Sequence, residues 1–159
     1  MAARVSLFLF VVALGIDLGA GLYETRNVAP VWRRALVDHD AVASAFLESA
    51  PNAGPRFWVV LTPSVALLAL LALVTGLHTS APQRFWRLLA TVVELAVVTS
   101  TFAYFVPNII VLLGPRHATL APDVLAARLH TWLTLNWVRV GLTAVAWLAA
   151  LRALSLSGS

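Results

Sequence analysis

Asp17, Glu24, Glu94 and Arg139 are ionisable side chains set inside long apolar stretches, where charge is costly and marks pairing or chemistry. Glu24 follows Asp17 by about two helical turns, nearly on the same face. Arg139 has Asn136 one turn before it and Trp132 two turns before it on the same stripe. The stretch that holds Glu94 also carries Thr99, Thr101, Tyr104 and Asn108. A carboxylate beside a guanidinium offers a base together with a partner for the anion that the base creates. The same residues also fit a purely structural role, with Arg139 neutralising one of the acids and Asn136 satisfying spare donors.

Positions along the helices decide which of these groups can meet. At about 1.5 Å per residue from the side of the termini, Asp17 and Arg139 fall near mid-bilayer and Glu94 lies closer to the termini. Glu24, Tyr104, Asn136 and Asn108 gather in the opposite, outer half. The spacing therefore predicts a polar cavity opening toward the first loop. Trp32, Trp58, Trp132 and His130 join Asn108 as candidate ligand contacts there. Six tryptophans read first as an aromatic belt, and His78, His117 and His130 as rings at the membrane interface.

The elements that must position these groups follow from composition. The 159 residues are 60% hydrophobic and 11% charged, against roughly a quarter charged in soluble domains. Stretches at about 5–25, 57–78, 85–113 and 129–154 reach or nearly reach the roughly 20 apolar residues that a span needs. Backbone groups in hydrocarbon must bond within their own segment, so these are helices. The fold class is all-α: a single transmembrane domain over 1–159, an integral membrane four-helix bundle. Residues 26–56 form its cap, with a surface helix starting at Pro30 and an apolar side of Val31, Trp32, Leu36, Val42, Phe46 and Leu47. The first stretch reads as a retained span, since Asp17 interrupts it and three more spans follow. Gly15 and Gly19 make a small-xxx-small pair, read as packing inside the bundle and also compatible with a homodimer.

Four spans place both termini on one side. The arginines do not settle which, so termini inside is adopted from a short second loop that has two Arg and no acid. The expected partners are membrane lipid and a lipophilic small molecule. All eleven basic residues are Arg and are scattered, which argues against nucleic acid. With no Cys there is no thiol chemistry, and there is no metal-ligand spacing or phosphate loop. Asp38-His39-Asp40 looks like a metal motif, but neighbours on a helix point about 100° apart and do not converge. The residues require no cofactor. The halves show no convincing repeat, which lowers the case for a transporter.

Gly21-Leu22-Tyr23-Glu24 with Pro30-Val31-Trp32, then Arg56-Phe57-Trp58, Thr101 to Asn108 (TFAYFVPN) and Trp132 to Arg139 (WLTLNWVR) resemble the small four-helix membrane proteins grouped with the anthrone oxygenases. The resemblance covers nearly the whole chain and is nearer to bacterial members with the Tyr-Glu signature. It implies an oxidoreductase of a bacterial cytoplasmic membrane acting on a lipophilic aromatic or quinone-like molecule with dioxygen, with Glu24, Tyr104, Asn108, Asn136 and Arg139 at the signature positions. On that implication Glu24 is the base, Arg139 and Asn136 hold the developing anion, and Tyr104 relays a proton or orients a ring. The other reading is a non-enzymatic lipid or small-molecule binding protein, or an accessory subunit of a larger membrane assembly.

Overall fold

The computed structural model describes residues 2–49 and 53–157, and these form an all-α bundle. Its helices are α1 (Ala2–Leu36), α2 (Ala41–Ser49), α3 (Ala53–Gly76), α4 (Ala81–Leu113) and α5 (Pro122–Ser155). Four of them, all but α2, are long and apolar enough to cross a membrane. α1 packs against α3 and α5, and α4 packs against the same two. So α1 and α4 stand on one diagonal of a square, with α3 and α5 on the other. Large apolar side chains such as Val59, Leu67, Val74, Phe85 and Leu148 face outward, as a bundle solvated by lipid requires.

Three of the helices are much longer than a bilayer needs. α1, α4 and α5 have 35, 33 and 34 residues, about 50 Å each against roughly 30 Å of hydrocarbon. The excess projects on the side of the first loop and divides the interior into two cores. The inner core, toward the termini, packs Leu7, Phe10, Leu14 and Val65 against a run of alanines that includes Ala69, Ala72, Ala90, Ala146 and Ala150. Such small residues let helices approach closely where no hydrophobic effect drives them together. The outer core holds Ala29, Trp32, Phe105, Leu112, Leu125, Leu129 and Trp132.

The sequence predicts a break after the first span and a separate surface helix from Pro30. Instead α1 continues to Leu36, and only Ala41–Ser49 is a separate short helix of the loop. A proline lacks an N–H and clashes with the carbonyl four residues back. A widened turn over Glu24–Val28 absorbs both effects, with the Ala29 amide reaching back to the Glu24 carbonyl. The same device recurs at Thr101–Phe105, where the Val106 amide reaches the Thr101 carbonyl just before Pro107. α5 also starts earlier than expected, at Pro122, so the third loop shrinks to a 3-10 turn (Pro115–Thr119) and its flanks.

The two wide turns share a register. One offset of 77 residues carries Glu24–Val28 onto Thr101–Phe105, Pro30 onto Pro107, and Asp17 onto Glu94. Residue identity between the halves is sparse, so the correspondence is visible in backbone register and in where the acids sit.

Candidate functional site

Between the two cores lies a polar layer, and Arg139 of α5 is its hub. Glu24 opens the wide turn of α1, and its Oε1 accepts the Trp58 Nε1–H at 2.9 Å. Its Oε2 lies 3.5 Å from Arg139 Nη2. The guanidinium carbon stands 5.4 Å from the centre of the Trp58 ring and 4.9 Å from that of Phe105. Two aromatic faces thus stabilise the cation while Glu24 neutralises it. Both charged side chains keep 12% of their surface open, so the pair is not fully sealed.

Arg139 also borders a small cavity with Asp17, Thr62, Glu94 and Thr101, walled by Val65, Val97 and Val98. Traced by the centre of a water-sized sphere its volume is about 10 Å³, room for roughly one water. Glu94 is 1% exposed, and its Oε2 has no partner among the described residues. Asp17 sits beside the buried Thr143, and the field of Arg139 reaches all three carboxylates. The layer is thus smaller and deeper than the outer cavity expected from counting along the helices. The long arginine side chain links levels that a count of Cα positions keeps apart.

A second cluster lies above. Asn136 is fully buried and donates to Thr25 Oγ1 at 2.7 Å, while Thr25 donates to the Gly21 carbonyl at 2.6 Å. Asn136 Oδ1 has no partner among the described residues. Trp132 donates to the Phe105 carbonyl at 3.3 Å and packs on Trp32 and Phe105 at 5.3 and 5.6 Å between ring centres. Trp32 and Trp132 are therefore pieces of the outer core. Asn108 donates to the Tyr104 carbonyl at 2.8 Å, Tyr104 packs edge-on against Phe105, and His130 is exposed.

Of the residues chosen from sequence, Glu24, Trp58 and Arg139 meet directly, and Asp17 and Glu94 join Arg139 at the cavity. Asn136 and Trp132 lie one layer out, while Tyr104, Asn108 and His130 make no contact with the charged group through hydrogen bonds or ion pairs among the described residues. Thr25, Thr62, Thr143 and Phe105 were not singled out. Hydroxyls in apolar runs usually bond their own helix, so nothing in their local sequence sets Thr25, Thr62 and Thr143 apart.

Near the termini Arg87, only 1% exposed, forms a separate clamp. Its Nε donates to the Ala72 carbonyl at 2.7 Å. Its Nη2 donates to the Ala3 carbonyl, Ser6 Oγ and Thr75 Oγ1 at 2.8 to 2.9 Å. This ties α1, α3 and α4 together on the side where the second loop turns.

The chemistry open to the Glu24–Arg139 pair is exchange of an ion pair. A weakly acidic guest gives its proton to Glu24, and its anion replaces the carboxylate beside Arg139. One ion pair is present before and after, so no net charge is created in a poorly solvated site. Comparison with family models, with curated proteins and with solved structures finds no match for this chain.

Proposed function

We propose that this protein is a membrane-embedded oxidoreductase of oxygenase type that takes a proton from a weakly acidic, lipophilic aromatic or quinone-like molecule at Glu24. The observation that carries the reading is the carboxylate of Glu24 held between an indole N–H and a ring-clasped guanidinium at 2.9 and 3.5 Å. Glu24 acts as base, and Arg139 with Trp58 receives the resulting phenolate or enolate. An electron-rich anion of this kind reduces dioxygen. A methylene carbon between two aromatic rings then loses both hydrogens and gains one oxygen atom, and the second oxygen leaves as water. The resemblance to the anthrone-oxygenase grouping points to the same substrate class. The interior cavity admits only about one water, so the guest approaches the pair from the outer half, past Trp58. The membrane is taken as a bacterial cytoplasmic membrane from the resemblance, and the termini as inside from the arginines at the second loop.

The test uses the full chain in lipid nanodiscs with an alkylated nitrophenol and, separately, with anthrone. Wild type is expected to hold the nitrophenol as its coloured phenolate at a pH where empty nanodiscs keep it protonated, and to consume dioxygen with anthrone. Glu24→Gln is expected to lose the oxygen uptake while remaining folded, and, with Arg139 no longer neutralised, to keep the phenolate. Phenolate binding without oxygen uptake would replace the enzyme reading by that of a non-enzymatic small-molecule binder. Equal oxygen uptake in wild type and Glu24→Gln would sink the role of Glu24.

A further inference from the structure

The polar layer holds three carboxylates, Asp17, Glu24 and Glu94, and one guanidinium, Arg139. Glu24 and Arg139 neutralise each other, so the two remaining acids decide the charge at the centre of the bundle. They come from opposite corners of the square, α1 and α4, at equivalent positions of the 77-residue register, and border the same cavity. We propose that this cavity is a proton-binding site, in which Asp17 and Glu94 are both carboxylic acids bridged by one water.

Three observations converge on that assignment. The cavity has room for roughly one water, at about 10 Å³. Glu94 Oε2 is buried without a protein partner among the described residues, and a bridging water supplies one. The groups facing the pair cannot balance two further anions. Among the described residues α1 contributes Glu24 as well as Asp17, α4 adds the hydroxyl of Thr101 to Glu94, α5 contributes Arg139 and the hydroxyl of Thr143, and α3 contributes the hydroxyl of Thr62. Two bare carboxylates here would leave two uncompensated charges deep in a membrane bundle, and binding a proton to each removes both. A sodium ion would satisfy one charge through the same oxygens, but it would have to share the cavity wall with the Arg139 guanidinium.

Protonated carboxyls have a C=O stretch in the infrared that carboxylates lack, and the other four acids of the chain are in the loops or at a helix start, in contact with water. The full chain in nanodiscs at neutral pH is expected to show this band and to shift it on transfer to heavy water. Asp17→Asn and Glu94→Gln are each expected to remove about half of its area, and the pair of substitutions all of it. Glu24→Gln frees Arg139 to pair with one of the two acids and is expected to remove no more than about half of the band, whereas it abolishes the oxygen uptake of the function proposed above, which separates the two tests. Absence of the band in wild type overturns the proposal without any variant, and so does a band that both single variants leave unchanged. A band that fades as sodium replaces potassium assigns the site to the metal cation and overturns it as well.

Discussion

At the scale of single residues, Arg139 has two kinds of neighbour: a carboxylate at its edge and aromatic rings over its faces. Lysine has no planar fork to meet both, so the position is specific to arginine. Its importance and that of Glu24 were legible in sequence because charge inside an apolar run is conspicuous. The roles of Thr62 in the cavity wall and of Thr143 beside Asp17 were not, since a hydroxyl gains such a role only when another helix places an acid beside it. Asp40 behaves as an ordinary soluble residue. Its Oδ1 accepts the amides of Val42 and Ala43 at 2.9 and 3.0 Å and so caps α2, which is why Asp38-His39-Asp40 ends as a turn. The Ala43 amide first, then that of Val42 and the charge of Arg34, hold its carboxyl below the ordinary value of 3.8. A lowered folded value means that the cap is at full strength above the ordinary carboxylate range and is lost as pH falls through the folded value. Amide exchange at Val42 and Ala43, corrected for intrinsic rates, is expected to lose protection between neutral pH and pH about 3. Asp40→Asn keeps an acceptor and is expected to flatten that dependence; an equally steep loss in Asp40→Asn would assign it to another group.

Elements were easier to find than to delimit. Hydropathy locates four spans, but it stops the first where polar residues begin. Glu24, Arg26 and Asn27 look like the end of a helix, and Pro30 looks like the start of the next. Backbone geometry decides otherwise, because a turn with one extra residue carries the chain past the proline without a break. The clamp near the termini has a similar hidden requirement. Gly76 ends α3 against Arg87, and a Cβ built there would lie 2.5 Å from Arg87 Cδ. That stem is fixed by its hydrogen bonds to Ala72, Ala3, Ser6 and Thr75, so it cannot swing aside freely. Gly76→Ala is expected to destabilise the bundle by about 1–3 kcal/mol, the usual cost of overpacking. Thermal unfolding in detergent checks this, and a variant as stable as wild type would mean that the clamp is slack.

At the scale of the whole molecule, the bundle consists of two apolar cores with an ionised and protonated layer between them. The four long helices alternate in direction, which puts the second loop and the end of α5 at one end of the bundle and the third loop at the other. The chain has no native cysteine, so single introduced thiols report this cleanly. In sealed vesicles, Ser80→Cys and Ser157→Cys are expected to react with an impermeant reagent from the same side, and Thr119→Cys only from the opposite side. Labelling of Ser157→Cys and Thr119→Cys from one side would rule out four crossings. The same experiment fixes which face is cytoplasmic, a question that the scattered arginines leave balanced. The wide turns of α1 and α4 also bear on how such a chain can change over generations. Each adds one residue beyond an α-helical turn, and losing it would rotate everything farther out by about 100°. Trp32 would then leave Trp132, or Phe105 would leave Arg139. A gain or loss of a single codon at either turn would therefore misalign the outer half with the inner, even where every side chain is kept.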